Sequence, residues 1–331
     1  MEVLAKTYRG ELADLFTHGT WAVVDAEGRI IAAQGDPKEY AFARSSAKLL
    51  QALLPLSLGA SQQFDWSASE IAQICASHSG EQYHIETVTL LLQKIGLNEA
   101  ALQCGPHYPF DATSRKQMEE AGETARAIHN NCSGKHAGML TAAILMGADP
   151  ASYYHLSHPV QQAIIEIIQT ITDLPETAIK LATDGCSVPV HAVPIAKFAY
   201  AMARLAAPET LPDKLAKAAV KITQALRAEP KFASGTERID RHLIERASEP
   251  LVVKSGANGY YAGFLPDRKW GFALKTYDGN GRIRDLIASE LLYRLGAIDD
   301  VEMEFIREFT AVPVKNWRGD IVGHVETCLN A

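Results

Sequence analysis

The chain has 331 residues, a formal net charge of −7, 47% hydrophobic residues and 21% charged residues. That composition is ordinary for a globular protein in water, and the length suggests two lobes rather than one core. The acidic balance excludes nucleic acid as a main partner, because no basic stripe neutralises phosphates, and leaves small molecules as the expected ligands.

From Met1 to Leu15 acidic, basic and apolar residues alternate with no apolar h-region, so no secretory signal is expected. Residues 21–26 and 29–34 are β-prone runs split by Glu27-Gly28, which predicts a hairpin. The run from Ala47 to Leu54 is strongly helix-forming. Ser67-Ala68-Ser69-Glu70 fits a capping box. Helical periodicity then covers 81–95, 114–127, 135–146, 159–170, 190–205 and 211–226. Strand character returns at 251–255, 259–265 and 270–276, with Pro266-Asp267-Arg268 as a turn, and a helix is expected over 283–295.

Strands at both ends enclosing a helical middle predict an α+β fold: one antiparallel sheet built from both termini and flanked by helices, with an inserted helical lobe. The expected boundaries are a sheet lobe from 1–60 and 230–331 and a helical lobe over 61–229. The most apolar stretch, 49–60, is interrupted by Gln51 and Pro55 and is too short to span a bilayer. Five scattered cysteines without an export signal fit a reducing cytoplasm.

Ser45-Ser46-Ala47-Lys48 is a Ser-x-x-Lys at the start of a helix. Positions i and i+3 share a helical face, so the amine of Lys48 can approach the hydroxyl of Ser45. A neutral lysine can take a serine proton, and burial in an apolar helix lowers its pKa toward that form. Alone, such a match is expected about once in a chain this long. Two further segments raise its weight. Lys254-Ser255-Gly256 ends a strand, as Lys-Thr-Gly does in serine acyl-enzymes of the penicillin-binding type. Ala76-Ser77-His78-Ser79-Gly80 follows a helix in the middle region, where Ser77 offers a second serine to pair with Lys254. Each is otherwise an ordinary turn.

Cys132, Lys135 and Cys186 carry no conventional zinc spacing, and buried thiols are the plain alternative. Asp184 is a candidate to hold an α-ammonium, or else caps a turn. Arg44 is a candidate carboxylate contact or a surface residue, and His136 is a candidate substrate contact or a structural helix residue. By analogy with β-lactamases, the N–H groups of Ser45 and Ala257 would form an oxyanion hole.

Taken together, the chain resembles the asparaginase family typified by the rhizobial thermolabile enzyme. The segments that carry the resemblance are Phe42-Ala43-Arg44-Ser45-Ser46-Ala47-Lys48, Ala76-Ser77-His78-Ser79-Gly80-Glu81 and Cys104-Gly105-Pro106-His107. Asn131-Cys132-Ser133-Gly134-Lys135-His136, Asp184-Gly185-Cys186-Ser187-Val188-Pro189 and Lys254-Ser255-Gly256-Ala257 complete them. The resemblance implies a fold similar to serine β-lactamases and glutaminases. It implies hydrolysis of L-asparagine to L-aspartate and ammonia by two serine–lysine pairs, Ser45/Lys48 and Ser77/Lys254, in one cleft. It also implies zinc held by Cys132, Lys135 and Cys186 as an organiser of the substrate site, and a homodimer. Leu49 stands where proline is common in the family and Asn258 where glutamate is common, which bears on substrate preference. Two other readings remain: an amidase or esterase of the penicillin-binding type, and a non-catalytic metal- or amino-acid-binding protein.

Overall fold

Apolar, β-branched runs from both ends of the chain pair into a single antiparallel sheet in the computed structural model, which describes residues 2–330. The strands in chain order are β1 (Glu2–Arg9), β2 (Leu12–Asp25), β3 (Ile30–Gln34), β4 (Tyr40–Phe42), β5 (Lys180–Thr183) and β6 (Pro189–Pro194). They continue with β7 (Val252–Ser255), β8 (Tyr260–Leu265), β9 (Trp270–Thr276), β10 (Val314–Lys315) and β11 (Ile321–Thr327). The main sheet runs β10-β11-β1-β2-β9-β8-β7, with β3 also paired to β2. The chain forms two compact units: Met1–Ser46, Ala192–Ala207 and His242–Ala331 in one, Ala47–His191 and Pro208–Arg241 in the other.

In the first unit the expected hairpin forms. Asp25 accepts from the backbone N–H of Glu27 at 3.1 Å and of Arg29 at 2.8 Å, and Gly28 takes φ 84° where a Cβ would be strained. Trp21 is fully buried and donates from Nε1 to Gln34 Oε1 across the β2–β3 pair. The helix Ile195–Ala206 packs on β2, β8 and β9. Its approach to β9 needs glycine, since a Cβ on Gly271 would lie 2.2 Å from the Ala199 carbonyl oxygen. The helix Gly281–Arg294 also packs against the sheet.

The second unit is helical. Its central helix, Ser133–Leu145, buries every residue from Ser133 to Ala143 and packs against the helices Leu53–Ser57, Ala68–Ile74, Gln82–Lys94 and Pro159–Thr172. Two glycines permit this. A Cβ on Gly134 would sit 2.2 Å from the Gln73 carbonyl oxygen, and one on Gly138 would sit 3.2 Å from the Ile74 Cβ. The capping box is complete: Glu70 N donates to Ser67 Oγ at 3.3 Å, and Ser67 N donates to Glu70 Oε2 at 2.8 Å.

Several elements differ from expectation. The helix predicted over 190–205 begins only at Ile195, because Pro194 supplies its N-cap and the preceding Pro189–Pro194 run is β6. The helix predicted over 114–127 is Ala112–Glu120: the Asp111 carboxylate caps Ser114 N, and Gly122 at φ 69° closes its C-terminal turn. β1, β10, β11 and the helix Asp300–Thr310 carry no prediction. β1 lies between β2 and β11, with half of its side chains half-buried, so the period-two contrast that marks a strand is weak. Among the described residues no helix is long and apolar enough to cross a membrane.

Candidate active site

In the first unit, Arg44 and Ser45 open the 3₁₀ turn Arg44–Ala47 that follows β4. Arg44 is left-handed at φ 51°, a conformation that costs a non-glycine residue about 1–2 kcal/mol. Such strain persists only where the surroundings over-determine it, and it collects at functional sites. The segment is anchored to β7: Ser46 Oγ donates to the Lys254 carbonyl oxygen at 2.7 Å. The glycine of Lys254-Ser255-Gly256 is needed for this approach, since a Cβ there would lie 2.7 Å from the Ala43 carbonyl oxygen and 3.0 Å from Ser46 Oγ. The Lys254 side chain is buried, and its Nζ reaches the Ser255 carbonyl oxygen at 3.4 Å. Ala257 is exposed in the turn after β7, next to left-handed Asn258 at φ 56°.

The second unit gathers the remaining residues around a buried lysine. Lys48 is 2% exposed and starts the helix Lys48–Gln51. Its Nζ donates to the Ala76 carbonyl oxygen at 2.6 Å and to the Asn131 carbonyl oxygen at 3.3 Å. Burial pushes its pKa below the ordinary lysine value, partly opposed by the charge of Cys132. The Ala76 carbonyl puts this amine beside the half-buried Ser77, whose backbone N–H is held by the Ala233 carbonyl. The side-chain amide of Asn131 lies 2.7 Å from Ser77 Oγ.

Cys132 and Cys186 are buried and hydrogen-bonded to each other, and Lys135 Nζ donates to Cys186 Sγ at 2.9 Å. The Cys186 hydrogen bond holds Cys132 well below the usual thiol range, with the nearby Lys135 ammonium reinforcing it, and Cys186 is correspondingly raised. Cys132 also occupies the N-cap of Ser133–Leu145, where the helix end favours an anion. Burial alone would lower Lys135, but the two sulfurs outweigh it and raise its pKa. The arrangement favours the charged form of Lys135 beside the two sulfurs.

Two thiol sulfurs and an amine nitrogen converging in a buried pocket fit a borderline-soft divalent ion such as zinc. Among the described residues no group of three or more His, Cys, Asp and Glu is placed to hold a metal. Asp184 sits in the turn before Cys186, accepts from Gly185 N at 2.7 Å, and is close enough to raise Lys135. It also lines a cavity of about 510 Å³ with Tyr154, His155, Thr183 and Ser187. His136 is fully buried, with Nδ1 2.5 Å from the Tyr153 hydroxyl, a partner that anchors its ring inside the helical core. Another cavity, of about 530 Å³, is lined by Glu290, Arg307 and His324 and contains none of the residues singled out by sequence. Chemistry rather than volume therefore locates the candidate site.

Asn131 and His107 fall within motifs visible in the sequence but carry no role there. A polar residue beside a cysteine of Cys-x-x-Lys was the one available signal, and only the fold brings His107 to it, with Nε2 3.0 Å from the Asn131 nitrogen.

What these features define first is a class: an α+β protein that buries amines and thiols beside a serine turn, the equipment of an amide-cleaving enzyme. The chain belongs to the L-asparaginase II family, whose model matches residues 5–327. It is accordingly an amidohydrolase of small-molecule amides. A search of curated protein sequences gave no match. Among solved structures it is similar to a β-lactamase from Mycobacterium bovis, at 15% identity over 83% of this chain and 94% of that one, with a TM-score of 0.45. A class D β-lactamase from Fusobacterium nucleatum subsp. polymorphum is similar at 12% identity over 86% and 94% of the two chains, with a TM-score of 0.42. A D-alanine carboxypeptidase from Burkholderia cenocepacia is similar at 14% identity over 85% and 93%, with a TM-score of 0.41.

Proposed function

We propose that the protein hydrolyses L-asparagine to L-aspartate and ammonia through an acyl-enzyme on Ser45, with Lys48 as the base. The observation that carries the reading is Lys48 itself: a buried lysine whose pKa is pushed down by burial, held within 2.6 Å of the carbonyl that precedes Ser77. Neutral Lys48 takes the hydroxyl proton of Ser45 as its oxygen attacks the side-chain amide carbon. The N–H groups of Ser45 and Ala257 stabilise the developing oxyanion. Ser77, partnered by Lys254, passes a proton to the departing nitrogen, and ammonia leaves. Water then releases aspartate by the reverse route. Asp184 and Arg44 hold the substrate's α-ammonium and α-carboxylate, and His136 supports the substrate site from behind by fixing its helix.

Cys132, Lys135 and Cys186 would hold zinc, which when bound supplies fixed positive charge beside the substrate-binding turn. Loading requires Lys135 to give up the proton of its charged form, so metal uptake releases protons. The same reading makes the protein a cytoplasmic homodimer, checked by light scattering and cell fractionation.

The test is ammonia release from asparagine and glutamine, side by side, for the wild type and for Ser45→Ala, Ser77→Ala and Lys48→Met. General-base loss typically costs about 10²–10⁴-fold, so Lys48→Met should lose at least that in turnover. Near-normal turnover in Ser45→Ala would reassign the acyl group to Ser77. Binding of asparagine without ammonia release in the wild type would leave a non-catalytic binding protein. Acylation of Ser45 by a labelled penicillin would favour the penicillin-binding type of amidase.

A further inference from the structure

The Ala257 N–H that the proposed mechanism uses belongs to a peptide whose other end is gripped by an arginine. The Gly256 carbonyl and the Ala257 N–H lie in one planar trans unit, so they point in opposite directions. Arg284 Nη1 donates to the Gly256 carbonyl oxygen at 2.5 Å. The Ala257 N–H is therefore aimed away from the guanidinium. Gly256 itself lies against the turn that carries Ser45, where an added Cβ would be 2.7 Å from the Ala43 carbonyl oxygen and 3.0 Å from Ser46 Oγ.

The sheet leaves this carbonyl open. β7 is the last strand of the main sheet, and Gly256 extends its pairing with β8 by donating to the Tyr260 carbonyl oxygen at 2.8 Å. A hydrogen-bonded antiparallel pair would return the Tyr260 N–H to the Gly256 carbonyl. Here Tyr260 N faces the Ala257 carbonyl oxygen instead, at 3.4 Å and one residue further on. Arg284 takes the vacated place from the helix Gly281–Arg294, with only 6% of its surface exposed. Asp285 holds the Nε–Nη2 edge of the guanidinium, with Nε at 2.9 Å, and the Tyr261 ring centre lies 5.6 Å from Cζ. A rigid fork held on one edge presents its remaining nitrogen in a fixed direction, and that nitrogen is on Gly256.

The far side of the turn is fixed without it. Lys275 Nζ donates to the Asn258 carbonyl oxygen, and Thr276 N donates to the Gly259 carbonyl oxygen at 2.9 Å. The peptide plane between Gly256 and Ala257 is the freedom left over, because a glycine on its N-terminal side puts little steric bar on its rotation. We propose that Arg284 is a positioning residue that sets the Gly256–Ala257 peptide plane, so that the Ala257 N–H is presented to the developing oxyanion. Linked hydrogen bonds polarise one another, so a charged donor on the Gly256 oxygen also makes the Ala257 N–H a stronger donor. Arg284 acts through the backbone and not on the substrate. The catalytic consequence rests on the proposed asparagine hydrolysis; the setting of the peptide does not.

Two measurements keep these apart. Gly256–Ala257 is one of four Gly–Ala junctions in the chain, so labelling with carbonyl-¹³C glycine and ¹⁵N alanine isolates its amide signal, assigned by its loss in Ala257→Ser. A hydrogen bond to a carbonyl deshields the amide nitrogen that follows it. In Arg284→Met the Ala257 ¹⁵N signal should therefore move upfield, and further than those of the other three junctions. In ammonia release from asparagine, kcat should fall by at least about tenfold and by no more than the ~10²–10³-fold that loss of an oxyanion-hole donor costs, with KM within about threefold. Arg284→Lys keeps a cation beside Asp285, but one amine cannot span Asp285 and Gly256 together. Both readouts should then fall between those of the wild type and Arg284→Met, and the lysine variant decides alone should the methionine variant fail to fold. In either variant, an unmoved Ala257 signal, a displaced signal with kcat intact, or a loss confined to KM would overturn the proposal. A wild type that releases no ammonia from asparagine would instead sink the functional reading, and the ¹⁵N displacement would still decide how the peptide is held.

Discussion

Gly134→Ala isolates how the central helix positions the thiol–amine cluster. The added Cβ would lie 2.2 Å from the Gln73 carbonyl oxygen and 3.1 Å from the Gln73 side-chain Cγ. A tolerable carbon–oxygen contact is about 3.2 Å, so the start of Ser133–Leu145 and the end of Ala68–Ile74 must separate by about 1 Å in a core packed to crystal-like density. Overpacking of this kind costs about 1–3 kcal/mol. Alanine's helix preference returns at most about 1 kcal/mol, and less near a helix start. A net loss of about 1–2 kcal/mol corresponds to a fall of roughly 2–8 °C in melting temperature for domains of this size. Gly134 lies between Cys132 and Lys135, so the same shift moves both of those side chains, and alkylation of Cys132 should change along with the melting temperature. Gly138→Ala is the control, because its Cβ would meet only the Ile74 side chain at 3.2 Å. Calorimetry and timed alkylation of all three proteins make the comparison. A Gly134→Ala protein as stable as the wild type, with unchanged Cys132 reactivity, would refute the claim that close helix approach builds the cluster.

Acid should destabilise the protein well before its carboxylates titrate. Burial lowers His84 and His191 from 6.5 to about 4, Lys135 adding to the effect on His191. Their folded pKa values lie below the unfolded ones, so stability is full above pH 6.5 and declines as pH falls toward 4; at pH 5 the two together cost roughly 4 kcal/mol. Urea unfolding at pH 7.5 and 5 measures this, and an unchanged free energy would contradict it. Ser187→Gly should raise stability by up to about 1 kcal/mol, because Ser187 is exposed and left-handed at φ 74°; Ser187→Ala should not, and equal effects in thermal melts would discount the strain. On the proposed metal assignment, zinc added to chelator-treated protein should raise the melting temperature, release protons and shield Cys132 and Cys186 from alkylation. Lys135→Met should weaken all three responses, and an identical response in the variant would remove Lys135 from the ligand set.

Local chemistry made some elements readable from sequence and tertiary context hid others. The Ser67 capping box and the Glu27-Gly28 hairpin are complete within a few residues, so their partners are neighbours in the chain. The helix Ile195–Ala206 was readable in its apolar stripe but not at its start, where periodicity ran on through a strand bounded by two prolines. β1 needs both β2 and β11, the latter more than 300 residues away, before its half-buried alternation has meaning.

The candidate site divides along the same line. Two glycines in the recognised motifs mark backbone approaches that no single sequence spells out: Gly256 against Ala43, Gly134 against Gln73. The burial of Lys48 was legible because the run that follows it is mostly apolar, whereas its contact with the Ala76 carbonyl depends on a chain reversal. His107 was illegible as a partner of Asn131 because the two lie 24 residues apart and meet only in the fold. A side chain that acts through another side chain leaves no spacing in the sequence. Residues that share one local motif are therefore the easiest to find, and those that meet only through the fold, as His107 and Asn131 do, emerge only with the structure.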